Sequence, residues 1–265
     1  GDFILKIDAT HSEALDVSEA VTLIRGPIGS IVTLTVFRKE WASPREIAIT
    51  RSRIEIPTLD ISFHEKNSIA QIQLYAFNEN ATREFYKAVS QANAAGVRGI
   101  VLDLRNNPGG FLEVANSLSG WFLKEGSVVV SERFKTGPDK VFTAVGNEAL
   151  KDLPVVILIN RGSASASEIL AGALRGNRGI KIVGEKSYGK GTVQELMSLK
   201  DGSSLKITVA HWVMPGGQIL DKQGIVPDYV VEITDDDVKN EKDPQLEKAL
   251  QVLKAEIAGV KVAAQ

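Results

Sequence analysis

The spacing of apolar residues changes early in the chain, and this change separates two patterns. Over residues 1–54 a strand (FILKID) precedes a helix at 17–24 and an alternating strand at 31–38 (IVTLTVFR). Few apolar residues lie in this stretch, so a core built from it alone would be marginal. We therefore predict a small α+β module over 1–54 and a junction over 54–67.

Beyond the junction, strand patterns alternate with helix patterns. The sequence predicts strands at 68–77, 99–105, 127–134, 155–160 and 180–184, helices at 82–96, 111–123 and 167–176, and a hairpin at 192–214. Such alternation is typical of an α/β core with a partly parallel sheet. We assign this core to residues 55–231.

The remaining segment, residues 232–265, has a different composition. Six acids against two lysines over 232–243 indicate a solvated linker. An amphipathic pattern over 244–259 then predicts a helix that packs on the core, with a subunit contact as the alternative.

Composition narrows the chemistry. The 265 residues carry a net charge of −2, contain no cysteine and include three histidines, none spaced as a metal pair. This excludes a thiol nucleophile or a thiolate metal site and argues against a nucleic-acid partner. The chain opens on GDFILKID without an initiating Met or signal peptide. We interpret it as a fragment whose upstream part, with any targeting signal or membrane attachment, lies outside the sequence.

Three serines alternate with alanines in RGSASASE (161–168), between a strand pattern and a helix pattern. One interpretation is a capping box, with Ser165 as N-cap and Glu168 at the third helical position. The other is a nucleophile at the strand-to-helix turn, with the N–H of Ala166 facing a developing oxyanion. The pattern alone does not choose, and the two roles are compatible.

Two glycine-rich turns contain groups that could act together with a nucleophilic serine. NNPGG (106–110) is either an ordinary Pro-Gly turn or a second oxyanion donor. GEKSYGKGTVQ (184–194) lacks the strand–GxxxxGK[ST]–helix order of a phosphate loop. If its end is extended, Lys190, Thr192 and Gln194 share one face. Lys190 is then either a base that burial keeps neutral or an exposed loop lysine.

A histidine-based triad is a competing interpretation. His211 lies in the alternating pattern VAHWVM, and Ser165 with Asp103 would complete the set. Nothing local marks His211 as a base, so a half-buried strand histidine is the alternative.

Four segments in this order, LDLRNNPGG, NRGSASASEILAGAL, GEKSYGKGTVQ and MPGGQILDKQGIVPD, resemble the C-terminal processing peptidases, also called tail-specific proteases. The resemblance runs along essentially the whole chain. It implies a Ser/Lys dyad in which Ser165 is the nucleophile, Lys190 the base and Gln194 the residue that orients Lys190. It also implies oxyanion donors from the Gly109–Gly110 turn and from Ala166.

The same resemblance implies a core like that of the crotonase and Clp protease group, preceded by the C-terminal half of a PDZ domain. It implies a serine endopeptidase of the bacterial cell envelope or periplasm that needs no metal or cofactor. Its partners would be polypeptide substrates bound through their C-termini, an activating adaptor and other copies of itself. The alternatives are a catalytically silent binding scaffold on this fold and an acyl-CoA enzyme of the crotonase type.

Overall fold

The computed structural model describes residues 2–53, 57–66, 68–220 and 223–259. The chain divides into two compact units, Gly1–Ile56 and Pro57–Gln265. The predicted module ended at residue 54, within the segment 54–56 that lies outside the described residues.

The first unit is an antiparallel sheet with one helix. Its elements are β1 (Phe3–Ile7), β2 (Thr10–His11), α1 (Val17–Ile24), β3 (Ile31–Phe37) and β4 (Arg45–Thr50), and the sheet order is β2-β1-β3-β4. Alternate residues of β3 point inward, so Val32, Leu34 and Val36 join Ile7 in a small core. The sequence predicted β1, α1 and β3 but not β4, all of whose residues are exposed.

The second unit is built on a six-stranded sheet. Over residues 59–184 its elements are β5 (Leu59–His64), β6 (Ile69–Leu74), α2 (Ala81–Ala95), β7 (Gly99–Asp103), α3 (Leu112–Phe122), β8 (Val128–Phe134), β9 (Lys140–Thr143), β10 (Val155–Ile159), α4 (Ala166–Arg178) and β11 (Lys181–Gly184). The rest are β12 (Thr192–Ser198), β13 (Ser204–Val213), β14 (Tyr229–Val230), α5 (Asp235–Lys239) and α6 (Pro244–Ile257). The order in the large sheet is β14-β11-β10-β7-β6-β5, parallel throughout except for the edge pair β5–β6.

Apolar residues cover both faces of the large sheet. Along β7, Ile100 and Leu102 face the core that holds α2, α3 and α4, whereas Val101 faces the core that holds α6. Burial on both faces explains why the strands of this sheet read as continuous apolar runs. A second, antiparallel sheet of order β12-β13-β8-β9 contacts the opposite side of α4 through β8. The predicted α/β core with a partly parallel sheet is confirmed.

Two predictions need correction. The predicted junction at 54–67 contains β5, an edge strand that pairs antiparallel with β6; its Pro57 flank and polar neighbours hid a half-buried alternation. The predicted solvated linker at 232–243 contains the short helix α5, whose N-cap Thr234 accepts a hydrogen bond from Asp237 N–H. The helix α6 packs on β7, β10 and β11, and so belongs to the second unit.

No helix within the described ranges combines the length and the apolar character needed to cross a membrane.

Candidate active site

Three neighbouring parallel strands end at one edge of the large sheet. β7 leads into the turn 106–110, β10 into the serine run 161–168, and β11 into the lysine loop, residues 185–191. Because β10 pairs with both β7 and β11 in parallel, their carboxyl ends lie side by side. Sequence motifs separated by many residues therefore meet at this edge, where ligands of open α/β sheets usually bind.

Hydrogen bonding distinguishes the three serines. Ser163 is fully buried; its Oγ donates to the carbonyl of Leu104 at 2.8 Å and accepts from Asn160 N–H at 3.0 Å. Ser167 is also fully buried, and its Oγ donates to the carbonyl of Asn107 at 2.9 Å. Both hydroxyls thus tie the serine run to the end of β7. Ser165 is only half-buried, and its hydroxyl takes part in neither tie.

Ser165 is also unusual in its backbone. Its φ of 55° and ψ of −116° place it in a region that residues with a side chain rarely adopt. It is the N-cap of α4 and forms a capping box with Glu168, as one of the two interpretations predicted. Strained backbone at the start of a helix is typical of residues that present a side chain for chemistry.

Asn107 holds the glycine turn beside the serine run. Its side chain is fully buried, donates to the carbonyl of Leu74 at 2.7 Å and accepts from Gly109 N–H at 2.9 Å. Its own carbonyl accepts from Ala164 N–H at 3.0 Å, in addition to Ser167 Oγ. The side-chain amide and the backbone carbonyl of Asn107 are therefore all hydrogen-bonded, and these bonds hold the turn in place. The sequence analysis did not single out Asn107, because an Asn in a turn carries no local sign of burial.

Gly109 lies directly against Ser165. A Cβ on Gly109 would stand 2.7 Å from the Ala164 carbonyl oxygen, 2.8 Å from Ser165 Cβ and 2.9 Å from Ala166 N. With φ at +99°, this position requires glycine for both its backbone conformation and its space. Within the described ranges, neither Ala166 N–H nor Gly110 N–H is bonded to a protein acceptor. The Gly109 N–H, in contrast, is already bonded to Asn107.

The lysine loop borders an open cavity of about 540 Å³. Its walls are Pro108, Arg161, Gly162, Ala164, Tyr188, Gly189, Lys190, Gly191, Thr192 and Gln194. Lys190, Thr192 and Gln194 all line this cavity, and the register of β12 against β13 shifts between Val193 and Gln194. Arg161 Nε lies 3.4 Å from Glu185 Oε2. The cavity adjoins the serine run through Ala164.

Of the two interpretations of Lys190, the structure shows the exposed loop lysine. Lys190 and Gln194 are both exposed, because they lie on the rim of the cavity and at the start of the edge strand β12. In the part of the chain that the structure describes, no hydrogen bond joins Ser165 Oγ to Lys190 Nζ. The side chain of Lys190 is therefore accessible to solvent.

A fully buried glutamate joins the serine run to the lysine loop. Glu168 Oε2 accepts from Ser165 N–H at 2.9 Å and from Lys190 N–H at 3.0 Å. Its Oε1 accepts from Ser187 Oγ at 2.6 Å and from Gly189 N–H at 2.7 Å. The sequence analysis treated Glu168 as a capping residue only. The signal it passed over was an acid followed directly by a long apolar helix face.

A buried ion pair lies directly before the glycine turn in sequence. Arg105 Nη2 stands 2.6 Å from Asp103 Oδ2 and 2.9 Å from Asp243 Oδ2, and Gln71 also donates to Asp103 at 3.0 Å. Burial opposes the charge of Arg105, but its hydrogen bonds to the two aspartates raise its pKa. Burial likewise would raise the pKa of Asp243, yet its bonds to Arg105 and to Leu246 N–H lower that pKa overall.

This ion pair bears on the histidine interpretation. Both oxygens of Asp103 are bound to Arg105, so this carboxylate orients a guanidinium rather than an imidazole. His211 lies within β13, opposite Thr192 of β12 and Arg133 of β8. Among the described residues, no group of three or more His, Asp and Glu side chains is arranged to hold a metal ion.

Comparison with known proteins agrees with this geometry. A family model described as peptidase family S41 matches residues 68–231, more than half of the chain. The chain belongs to peptidase family S41. The matched segment begins just before β6 and ends just after β14, so it includes the whole sheet edge described above.

Relatives within the S41 family carry names of one kind. The carboxyl-terminal-processing protease of Synechocystis sp. is 37% identical over 263 residues, covering 97% of this chain and 61% of the relative. The carboxy-terminal processing protease CtpA of Bacillus subtilis is 36% identical over 234 residues, covering 88% of this chain and 50% of the relative. The chain therefore spans about half to three fifths of the length of these relatives.

A solved structure of the S41 type is also similar. The photosystem II D1 C-terminal processing protease superposes with a TM-score of 0.68 at 30% identity, covering 96% of this chain and 67% of that one. The resemblance to C-terminal processing peptidases is thus confirmed at the level of family and fold.

Proposed function

We propose that this chain carries the catalytic centre of a serine endopeptidase that cleaves polypeptides near their C-termini. The observation that carries the proposal is the meeting of three strand ends around one cavity: the Ser165 turn, the glycine turn and the Lys190 loop. The names of the S41 relatives supply the substrate class, a polypeptide C-terminus.

The proposed chemistry begins at Ser165. Lys190 Nζ, as the neutral amine, takes the Oγ proton while Oγ forms a bond to the scissile carbonyl carbon. The resulting oxyanion accepts hydrogen bonds from Ala166 N–H and from an N–H of the glycine turn. When the C–N bond breaks, Lys190 returns the proton to the leaving amine, and water then releases the acyl group from Oγ.

Ala166 N–H and Gly110 N–H are the proposed oxyanion donors, because among the described residues neither is bonded to a protein acceptor. The Gly109 N–H would become a donor only by giving up its bond to Asn107 Oδ1. Gln194, on the same cavity wall as Lys190, is the proposed residue that orients the lysine once substrate is bound.

Substrate binding has a further role in this scheme. An ordinary lysine is protonated in neutral water and cannot accept a proton. A polypeptide in the 540 Å³ cavity would remove water from around Lys190, which favours the uncharged amine.

We extend the proposal to the rest of the protein by the same likeness. The first unit is the C-terminal half of a PDZ domain, and the complete protein works in the bacterial cell envelope or periplasm. An activating adaptor and self-association are proposed partners, and no cofactor is required.

The test is cleavage of an unfolded polypeptide such as casein by the full-length protein. Ser165→Ala and Lys190→Ala should each reduce the rate by at least about 10³-fold, because each removes a group that forms or breaks a bond. Ser163→Ala, Ser167→Ala and the neighbouring lysine change Lys186→Ala should retain most of the activity. Full activity in Ser165→Ala would overturn the assignment.

The same variants separate the alternatives. A fluorophosphonate should label the wild type at Ser165 and leave Ser165→Ala unlabelled. A silent scaffold or an acyl-CoA enzyme of the crotonase type would show neither this labelling nor casein cleavage.

A further inference from the structure

We infer that Glu168 is a positioning residue that fixes the relative position of the nucleophile and the base by accepting hydrogen bonds from the backbone of both. This inference rests on the proposed function, since it assigns a task to Ser165 and Lys190. It concerns a residue that touches neither the cavity nor the reacting atoms.

The geometry of the carboxylate carries the inference. Glu168 is fully buried, and its two oxygens accept four hydrogen bonds. One donor, Ser165 N–H, belongs to the serine run. The other three, Ser187 Oγ, Gly189 N–H and Lys190 N–H, belong to the lysine loop. Oε2 alone is shared by the N–H groups of the proposed nucleophile and the proposed base.

The two oxygens of a carboxylate meet this demand. They offer about four acceptor sites and no donor, which matches the four donors around Glu168. An amide of the same shape has one acceptor oxygen, so two of the donors would face an NH₂ group. Hydrogen bonds to a charged acceptor are also the stronger kind, and leaving buried donors unpaired is unfavourable.

Besides the bonds to Glu168, Tyr188 N–H donates to the Ser163 carbonyl at 3.0 Å and Ser187 N–H donates to the Ile225 carbonyl at 3.1 Å. Tyr188 and Lys190 are exposed, and after Gly191 the chain continues into an exposed edge strand. Ser187 extends the tie further, since its Oγ also accepts from Ile225 N–H at 2.7 Å. Glu168 thereby joins α4, the lysine loop and the segment around Ile225 at one point.

A structural role alone would predict a different outcome from a positioning role. If Glu168 only stabilises the fold, its loss lowers the amount of folded enzyme but leaves the folded molecules active. If it fixes the relative position of Ser165 and Lys190, folded molecules keep their cavity but cleave the peptide with a lower kcat. The kcat and KM of a folded variant therefore distinguish the two roles.

The decisive variant is Glu168→Gln in the full-length protein, assayed on a fluorogenic peptide. We expect kcat to fall about 10²-fold while KM changes less than about 3-fold, because the cavity wall is unchanged. The matched control Glu132→Gln removes a carboxylate of similar burial in β8, paired with Lys140 at 3.7 Å, and should leave kcat unchanged. A kcat for Glu168→Gln equal to that of the control would overturn the inference.

Ser187→Ala serves where Glu168→Gln does not fold. It removes one donor to Glu168 and leaves the three backbone donors, so we expect a decrease in kcat of about 3- to 10-fold with KM preserved. An unchanged kcat in folded Ser187→Ala would then count against the positioning role of Glu168. Ser165→Ala is assayed alongside, and cleavage by that variant would overturn the proposed function. If Ser165→Ala is inactive but Glu168→Gln is fully active, only the positioning role of Glu168 is overturned.

Discussion

The two halves of the proposed active site differ in how firmly the fold holds them. The nucleophile half, comprising the glycine turn and the serine run, is packed and internally bonded: Asn107, Ser163 and Ser167 are fully buried. The base half, comprising the lysine loop and β12, is exposed along most of its length. Glu168 ties the backbone of the lysine loop to the nucleophile half, whereas the side chain of Lys190 is exposed. Bound substrate could therefore change the surroundings of the proposed base without disturbing the proposed oxyanion donors.

Breaking the ion pair that directly precedes the glycine turn in sequence should give the largest effect on stability. Asp103→Asn leaves Arg105 without its main buried partner, and removing one member of a buried pair typically lowers the free energy of unfolding by about 3–5 kcal/mol. Urea unfolding followed by circular dichroism measures this. The matched change Glu65→Gln breaks an exposed pair with Lys254 and should alter stability by less than about 1 kcal/mol. Equal effects from the two changes would mean that the turn has no rigid support.

Crowding the glycine turn should give the next largest effect, and chiefly on the rate. Gly109→Ala forces a methyl group within 2.8 Å of Ser165 Cβ, so the turn or the serine must move. We expect kcat/KM for peptide cleavage to fall at least about 100-fold, as loss of an oxyanion donor does. Gly126→Ala is the control: its φ is +81° and nothing lies within 4 Å, so it should lower stability by about 1 kcal/mol and spare the rate. A fully active Gly109→Ala would argue that the nucleophile half is not preorganised.

The contact between α6 and the glycine turn should have a smaller, pH-dependent effect. Asp243→Asn retains an N-cap but loses its charge beside Arg105, and we expect a loss of about 1 kcal/mol at pH 7, limited because Asp243 is about a third exposed. Since the folded-state pKa of Asp243 is lowered, its contribution is present above the unfolded value near 3.9 and disappears as the pH falls through the lower folded value. The difference between wild type and variant should therefore shrink below pH 4. A difference that is constant down to pH 3 would contradict a charge-based contact.

The smallest effect is expected on the base half. Leu196 of β12 is 67% exposed, so Leu196→Ala should change the free energy of unfolding by less than about 0.5 kcal/mol. Leu102→Ala, at a fully buried position of β7, should lower it by about 2–5 kcal/mol. A large effect at Leu196 would indicate that another surface covers β12 in solution.

The sequence predicted much of the fold because its strands are buried on both faces. VVILIN and GIVLDLR read as strands without any help from tertiary structure, and the motifs that follow them fell at the expected sheet edge. β5 was missed because LDISFH stands at an edge with polar flanks, so its alternation resembled a junction. β9 and β14 are too short to show a pattern.

The parts of the site that the sequence did not predict are those defined by tertiary contacts. Nothing near Asn107 reveals its burial, and the apolar residues after Glu168 suggest burial but not its hydrogen-bond partners, because the partners of both residues come from distant segments. The sequence left open whether Lys190 is buried or exposed, because burial depends on what lies opposite the side chain, and in the structure that is an open cavity. A local pattern can suggest which residues react, but it cannot show what holds them.

The backbone of Ser165 has a consequence for how this protein could change over time. A left-handed conformation on a residue with a side chain stores roughly 1–3 kcal/mol, which a glycine at the same place would release. If Ser165 is the nucleophile as proposed, Ser165→Gly would yield an inactive protein that is more stable than its parent. Laboratory evolution that selects for thermal stability alone would favour this inactive variant. A search for more stable variants must therefore assay catalytic activity at every round.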